Sequence, residues 1–506
     1  MNATNGPAPN RDWAQRAREV SFDGRPLIDG VRRDVSVPAA FDVVDPATGA
    51  RLYQAHACSR QDVDAAVASA RELIERDALR RIDAATRIRI LLALAQRLQH
   101  DGARFALYDC LEIGKPIAFA QAEVQAAAEI FRYCASAVDK LRANATTPAR
   151  GALCLELLEP CGIVAAIIPW NFPTVQAASR IGMAIATGNA CMLKPSEMAM
   201  ASALALAHEA IECGWPPSAL AVLTGDGRVG HWLASHADVD VVSFIGSTKT
   251  GQDVNRAAAS GGFKKVGLEC GGKSPVVVLA DAGVLDRDLI AQTIVQDVMW
   301  NQGQVCTAKT RLIVEQPMFD DLMARVTAAC EQWVPGNPLN TSTNFGPLGS
   351  ARQQQLVRGH IADGLRRGAQ QVYGQNVALP RAGAFVAPTV LAVTDPAAGL
   401  LQEEIFGPVL TAIPARDAAH AFELANASGY GLSASLWTTN LARAHTYISQ
   451  TRAGMIRVNG SNELAEEPLW VSASEPYRAS GVGPEGGLSG LESWMRRKAA
   501  FISYGS

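Results

Sequence analysis

The sequence has no C-x-x-C pair, because its 10 cysteines are scattered singly through 506 residues, and it has no histidine cluster. This pattern argues against a bound metal and against a disulfide framework. A charged start followed by an apolar run is also missing, and stretches such as Gly162 to Pro169 are far shorter than the roughly 20 residues that cross a bilayer. We therefore expect a cytoplasmic protein. Its formal net charge of −3 makes nucleic acid or an anionic membrane an unsuitable partner.

The chain is too long to fold around a single hydrophobic core, so we expect two or three domains. Residues 26–46 contain short apolar runs that predict a small β meander. After residue 150, continuous apolar runs such as Gly162 to Ile168 alternate with helical stretches, and a second such alternation covers Asp286 to Ala453. Strands buried on both faces have this composition. The chain is therefore predicted to be an α/β protein with a doubly wound parallel sheet, whose ligands bind at the carboxyl ends of the strands.

Cys306 lies in the segment Trp300 to Thr307, where small and polar residues surround it. Small neighbours leave room for a substrate, and polar neighbours can supply hydrogen-bond donors. A cysteine thiolate is the side chain most ready for covalent chemistry at neutral pH. We consider Cys306 a candidate nucleophile, and a small buried hydrophobic residue is the alternative.

Two further residues could support such a nucleophile. Glu269 precedes a double glycine, and desolvation there would raise its pKa toward the range of a general base. Asn171 lies in a turn between two prolines, and an asparagine amide can donate to a developing oxyanion. A structural ion pair and a structural turn are the respective alternatives.

Several strand ends could bind a nucleotide. Lys194 and Glu197 could both hydrogen-bond a ribose diol, and the carboxylate would repel a 2′-phosphate, which favours NAD over NADP. Gly246 and Ser247 combine a tight turn with a helix cap that could accept a phosphate. A G-x-G-x-x-G run begins at Gly225, but no acidic residue closes the next strand, so a plain glycine-rich turn is the alternative.

A carboxylate and an aromatic ring two residues apart, Glu404 and Phe406, could hold a second ribose and a flat heterocycle. A solvated acidic loop with one anchored ring is the alternative here.

Together these segments resemble the NAD(P)-dependent aldehyde dehydrogenase superfamily. The resemblance runs from Asp45-Pro46-Ala47-Thr48-Gly49, through Gly114-Lys115-Pro116, to Ser480-Gly481-Val482-Gly483-Pro484-Glu485. It implies that Cys306 is the nucleophile, that Glu269 is the general base, and that Asn171 and the Cys306 backbone N–H form the oxyanion hole. The cofactor residues that it implies are Ile168, Trp170, Lys194, Glu197, Gly246, Ser247, Glu404 and Phe406.

The resemblance further implies oxidation of an aldehyde to its acid with NAD⁺ and water, through a thiohemiacetal and a thioester on Cys306. It implies an NAD-binding domain at 1–139 and 161–272, a catalytic domain at 273–485, and a small β oligomerisation domain at 140–160 and 486–506, in a homodimer or homotetramer. A coenzyme A-acylating semialdehyde dehydrogenase and a non-catalytic structural or binding protein of the same fold are the alternatives, and the presence of Glu269 favours hydrolysis.

Some segments depart from the family pattern. An aromatic followed by two glycines is replaced by Val471 to Tyr477, and the usual arginine before Glu485 is Pro484. Arg180 stands where the family has lysine, after Ser179 in place of a bulky ring, and we predict that Arg180 pairs with Glu485. Candidate substrate residues are Phe172, Trp300 and Ser474. The acidic loop nearby contains Glu463, Glu466, Glu467 and Trp470, which favours a polar or amine-bearing aldehyde.

Overall fold

The computed structural model describes residues 13–34, 40–460 and 471–504. Its strands are β1 Leu27–Ile28, β2 Val31–Arg32, β3 Ala40–Val44, β4 Arg51–His56, β5 Ala145–Thr146, β6 Ala152–Pro160, β7 Ile163–Ile167, β8 Ala190–Lys194, β9 Leu220–Val222, β10 Val241–Ile245, β11 Lys265–Glu269, β12 Pro275–Val278, β13 Arg311–Glu315, β14 Gln370–Tyr373, β15 Thr389–Ala392, β16 Val409–Ala415, β17 Ser433–Trp437, β18 Met455–Val458, β19 Gly481–Val482 and β20 Met495–Ser503.

The α-helices alternate with these strands through most of the chain. They are α1 Trp13–Glu19, α2 Arg60–Glu75, α3 Ala84–His100, α4 Gly102–Ile113, α5 Ile117–Ala137, α6 Pro173–Thr187, α7 Ala201–Glu212, α8 Gly227–Ser235, α9 Thr248–Ser260, α10 Arg287–Met299, α11 Phe319–Cys330, α12 Ala351–Arg366, α13 Gly399–Gln402, α14 Ala418–Asn426, α15 Leu441–Gln450 and α16 Gly487–Ser493. Among the described helices, none combines the length and the apolar character that crossing a bilayer requires.

The first large sheet has the order β19-β11-β10-β7-β8-β9-β1-β2. Its five central strands, β11 to β9 in that order, are parallel, and antiparallel strands close both edges. Every residue of β7 and β8 is buried, as the continuous apolar runs predict for strands covered on both faces. The predicted α/β architecture with a parallel sheet is confirmed.

A second sheet, β14-β15-β16-β13-β12-β17-β18, is parallel except for the edge strand β14. It corresponds to the second α/β alternation. Cys306 lies between α10 and β13, so the catalytic candidate belongs to this half of the molecule. A third, antiparallel sheet joins β5, β6 and β20.

One strand pairing crosses the boundaries that the resemblance implies. β19 lies within the segment predicted as catalytic, but it pairs with β11 of the first sheet. This pairing places Gly481 opposite Glu269. The boundaries themselves stay predictions.

The prediction of an N-terminal β meander is only partly correct. β1 and β2 form a tight hairpin at Asp29 and Gly30, both with positive φ, and this hairpin joins the edge of the first sheet. β3 pairs instead with β4, in a separate two-stranded sheet. The apolar runs located the strands, but short strands do not specify their partners.

Candidate active site

Cys306 follows a turn with a strained backbone. Asn301 and Gln302 adopt φ values of 46° and 56°, which non-glycine residues seldom do. Gly303 continues the turn at φ 71°, and a Cβ there would lie 2.1 Å from the carbonyl oxygen of Gly407. Only glycine fits at this point. Strain of this kind persists where the surrounding structure holds it, and it is concentrated at functional sites.

Cys306 is a half-buried residue and is not one of the buried residues of the hydrophobic core. Its carbonyl oxygen packs against the loop that follows Glu269, since a Cβ added to Gly272 would lie 2.4 Å from that oxygen. Folding therefore brings the loop of the predicted base against the loop of the predicted nucleophile.

Asn171 reaches the same loop from the end of β7. Its side-chain Nδ2 donates to the carbonyl oxygen of Gln304 at 2.8 Å, two residues before Cys306. Gln304 is itself held, because its Nε2 donates to the Asn301 carbonyl at 3.0 Å and its Oε1 accepts from the Gly349 N–H at 2.8 Å. The predicted oxyanion donor is thus buried and fixed beside the cysteine.

Glu269 is the last residue of β11 and is half-buried. Burial raises the pKa of the Glu269 carboxyl well above its usual range, the Glu485 carboxylate raises it further, and the Arg180 guanidinium lowers it. A carboxyl with this pKa can accept a proton from water more readily than an ordinary glutamate.

The predicted Arg180–Glu485 pair is confirmed: Nη1 of Arg180 lies 2.8 Å and 3.1 Å from the two carboxylate oxygens. Arg180 is only 1% exposed, and within the described part of the chain its Nε and Nη2 have no hydrogen-bond partner. Ser474 lies beside this pair, because its backbone and that of Glu485 exchange hydrogen bonds of 3.0 Å and 2.9 Å.

One of the two residues predicted to hold the adenosine ribose, Glu197, borders a cavity of about 780 Å³. Glu197 lines this cavity, and its carboxylate lies 3.6 Å from Nζ of Lys194. Burial lowers the pKa of the Lys194 ammonium, and Glu197 opposes that shift. Ile168 is buried on the neighbouring strand end, with its N–H bonded to the Lys194 carbonyl at 3.0 Å. The ends of the adjacent parallel strands β7 and β8 therefore lie side by side, and Glu197 connects them to this cavity.

The turn of Gly246 and Ser247 follows β10. The Ser247 hydroxyl accepts the Thr250 N–H at 3.3 Å and so caps α9, as predicted. By contrast, the G-x-G-x-x-G run does not need its second glycine, because a Cβ on Gly227 would meet no atom within 4 Å. This run is a glycine-containing turn in which Asp226 caps α8, which supports the plainer of the two interpretations.

Glu404 and Phe406 lie against the active-site loops. Oε1 of Glu404 accepts the Gly272 N–H at 3.0 Å, and burial raises the pKa of the Glu404 carboxyl to about 7. Phe406, at φ 53°, packs edge-on against Trp170 at 5.6 Å between ring centroids. A carboxylate against the Gly272 loop and two rings in contact with each other are groups that suit a ribose and a flat heterocycle.

Among the substrate candidates, Trp300 and Phe172 are half-buried aromatics. Trp300 stacks on Phe119 with ring centroids 4.2 Å apart, a contact that the sequence did not indicate. The predicted acidic loop, with Glu463, Glu466, Glu467 and Trp470, lies outside the described residues.

Sequence reasoning also missed Gln353, whose Nε2 donates to the Phe406 carbonyl at 2.8 Å and so supports the strained backbone there. It lies on α12 with no motif around it, so no local signal could have revealed this contact.

Comparison with known proteins identifies the family of the chain. Residues 34–500 match the model of the aldehyde dehydrogenase family. The chain belongs to that family. It is 35% identical over 493 residues to the NADP/NAD-dependent aldehyde dehydrogenase PuuC of Escherichia coli, covering 97% of this chain and 98% of the relative. It is 36% identical over 477 residues to aminoacetaldehyde dehydrogenase of Pseudomonas aeruginosa, covering 93% and 94%.

Among solved structures, the indole-3-acetaldehyde dehydrogenase AldA of P. syringae, in complex with NAD⁺ and IAA, has a TM-score of 0.94 at 36% identity. The alignment covers 97% of this chain and 99% of that one. The sequence-based prediction of an aldehyde dehydrogenase is confirmed.

Proposed function

We propose that this aldehyde dehydrogenase oxidises an aldehyde to the carboxylic acid with NAD⁺ and water, through Cys306. The observation that carries the proposal is the Cys306 loop itself: Asn171 is bonded to it from one side, and the loop of Glu269 packs on it from the other. A nucleophile with an amide donor and a basic carboxylate around it is suited to acyl chemistry.

The Cys306 thiolate adds to the aldehyde carbon, and the carbonyl oxygen becomes an oxyanion. The Asn171 amide and the backbone N–H of Cys306 donate to that oxygen. Loss of hydride from the same carbon leaves a thioester on Cys306. Glu269 then takes a proton from water, the hydroxide adds to the thioester, and the acid leaves as the thiolate re-forms.

Lys194, Glu197, Gly246, Ser247, Glu404 and Phe406 are the residues proposed to hold NAD, with Ile168 and Trp170 lining its cleft. When bound, NAD⁺ supplies the hydride acceptor. The Glu197 carboxylate beside Lys194 favours NAD over NADP, because a 2′-phosphate would face a negative charge.

The proposal is tested by mixing enzyme, NAD⁺ and aldehyde without coenzyme A and following NADH absorbance. We expect sustained turnover by the wild type and, for Cys306→Ala, a loss of at least about 10⁴-fold. Turnover that depends on coenzyme A would contradict hydrolysis, and undiminished turnover by Cys306→Ala would contradict the assignment of the nucleophile.

We propose a polar or amine-bearing aldehyde as substrate. Half-buried side chains recur along one face at the start of α6, at Phe172, Gln176 and Ser179, and the small Ser179 leaves space there. Aromatic rings such as Trp300 can contact an ammonium group. We expect kcat/KM for an aminoaldehyde to exceed that of its N-acetyl derivative, and the reverse order would argue against this class.

A homodimer or homotetramer is proposed from the three-stranded sheet, whose Leu157, Phe501 and Ile502 are exposed apolar side chains on paired strands. Light scattering that gives the mass of one chain would contradict it. The cytoplasmic location stays a prediction from the sequence.

A further inference from the structure

A buried lysine, Lys115, lies behind the loop of Asn171 and Phe172, and no step proposed above uses it. Its side chain is only 2% exposed. Gly114 before it has a φ of 73°, and a Cβ there would lie 2.4 Å from Cγ of Pro347. The turn is therefore restricted to glycine and directs the lysine inward. A buried ammonium is unfavourable unless its N–H groups find partners.

The Lys115 ammonium has three partners. It forms an ion pair with the Glu123 carboxylate, it donates to the Asn171 carbonyl oxygen at 3.0 Å, and it lies 4.1 Å from the centroid of the Phe172 ring. A cation in this position is attracted to the face of the aromatic ring. One charged group thus contacts both the proposed oxyanion residue and the proposed substrate aromatic.

Glu123 extends this contact to two helices. Its second carboxylate oxygen accepts the Val175 N–H at 3.2 Å, in the first turn of α6. On α5, Glu123 is one turn after Phe119, the ring that stacks on Trp300. The ion pair therefore holds the starts of both helices in register with the active-site loop.

The Asn171 carbonyl accepts a hydrogen bond from a second side chain as well. Nδ2 of Asn301 donates to it at 3.0 Å, while the Asn171 amide donates to Gln304 at 2.8 Å. Lys115 is thus one of two donors on this carbonyl, and it is the charged one. Its removal would leave the peptide of Asn171 held by Asn301 alone.

A third ionisable group faces this cluster. Asp109 is fully buried, and one of its oxygens accepts the Ser202 hydroxyl at 2.7 Å. Burial raises the pKa of the Asp109 carboxyl well above its usual range, and the neighbouring Glu123 raises it further while Lys115 lowers it. Burial therefore favours the neutral form of Asp109, and the carboxylate that contacts the Lys115 ammonium is that of Glu123.

We infer that Lys115, held by Glu123, is a positioning residue for aldehyde oxidation, which fixes the Asn171 amide at the oxyanion and the Phe172 ring at the substrate. This inference rests on the proposed function of Asn171. It assigns to the Gly114-Lys115-Pro116 segment a role in transition-state geometry rather than in folding alone.

The test is a double-mutant cycle between Lys115→Met and Asn171→Ala, with Lys140→Met as the matched control. Lys140 is an exposed lysine that pairs with Asp139, and its side chain also donates to the Ser136 carbonyl, which is outside the active-site loops. We measure kcat, KM for the aldehyde, the dissociation constant of NAD⁺ and the melting temperature of each variant. A melting temperature above the assay temperature establishes that the variant is folded.

We expect Lys115→Met to lower kcat about 10²-fold, since a displacement of about 1 Å at a reacting group has an effect of that size. KM for the aldehyde should rise, NAD⁺ binding should stay unchanged, and Lys140→Met should match the wild type. In the Asn171→Ala background, Lys115→Met should lower kcat by less than about threefold, because the group that it positions is already gone.

Two outcomes overturn the inference: a kcat of Lys115→Met close to that of the wild type, or an undiminished loss in the Asn171→Ala background. If Lys115→Met does not fold, Glu123→Gln enters the same cycle, with an expected loss of about tenfold, because the amide keeps the shape but lacks the charge.

A second readout separates this inference from the proposed function. In 4-nitrophenyl acetate, attack by the Cys306 thiolate on the ester carbon forms the thioester and breaks the bond to 4-nitrophenolate, whose colour reports the burst without NAD⁺. If no aldehyde yields NADH but the burst is slowed by Lys115→Met in the same non-additive way, the proposed function fails and the inference holds. A burst that Lys115→Met leaves unchanged contradicts the inference.

Discussion

The candidate active site has two buried cations, one bonded to Asn171 on what we call the oxyanion side and one paired beside Glu269 on the base side, and their hydrogen-bonding groups are satisfied to different degrees. On the oxyanion side, the Lys115 ammonium has a carboxylate, a carbonyl and a ring as partners. On the base side, Arg180 is equally buried and pairs with Glu485, but its Nε and Nη2 have no partner in the described residues.

This difference corresponds to the chemistry proposed for each side. An oxyanion donor must keep one geometry, and a fully bonded cation holds it there. A general base must gain and lose a proton, and spare N–H groups beside two carboxylates leave room for a water or a change of charge. The oxyanion side is therefore expected to set rate without pH dependence, and the base side to set the pH dependence.

The largest effect that separates the two sides is expected for Glu269→Gln. Without the carboxylate, water is not activated, and steady-state turnover should fall about 10²- to 10⁴-fold. Acylation does not need Glu269 as base, so rapid mixing should still show a burst of one NADH per Cys306. Loss of the burst together with turnover would place Glu269 on the acylation step as well.

On the opposite side, Asn171→Ala is expected to lower the rate of NADH formation about 10²- to 10³-fold. It removes no titratable group, so the pH profile of the residual activity should match that of the wild type. Stopped-flow absorbance from pH 6 to pH 9 measures both quantities. A displaced profile would show that the two sides are not independent.

A third acid, Glu404, gives a smaller effect on cofactor binding. Burial raises the pKa of Glu404 to about 7, and the ionised carboxylate is the stronger acceptor for the ribose hydroxyls that we propose it holds. Lowering the pH from 8 to 6 protonates it, so NAD⁺ binding should weaken by up to about tenfold. Fluorescence titration of wild type and Glu404→Gln tests this, since the variant should lose the pH dependence.

The smallest effect is expected for Glu485→Gln. The Glu485 carboxylate raises the pKa of Glu269, so its neutralisation should lower that pKa and shift the rising limb of the pH–rate profile to lower pH. At neutral pH the rate should change by only a few-fold. A shift of the rising limb to higher pH would contradict this prediction, because it would mean that the pKa of Glu269 is raised by a group other than Glu485.

The sequence predicted much of this arrangement because the residues that carry charge or a special backbone leave local patterns. The buried strands β7 and β8 appeared as continuous apolar runs, and the Ser247 cap appeared in its turn. Arg180 and Glu485 could be paired across 305 residues because both stand at recognisable motif positions.

What the sequence did not predict depends on packing between distant segments. Lys115 was visible in a motif, but nothing local indicated that its ammonium reaches Asn171. Phe119 lies in an alanine-rich helix and gained meaning only from its contact with Trp300. The pairing of β3 with β4 was missed for the same reason, since short strands take the partners that tertiary structure offers.

The central claim is that Cys306 carries the acyl group between an oxyanion side and a base side. Intact-mass analysis of Glu269→Gln, mixed with NAD⁺ and an aldehyde and quenched in acid, tests it most directly. We predict a mass increment equal to the acyl group of the substrate, located on Cys306 by peptide mapping. An unmodified protein, or an acyl group on another cysteine such as Cys270, would contradict the account.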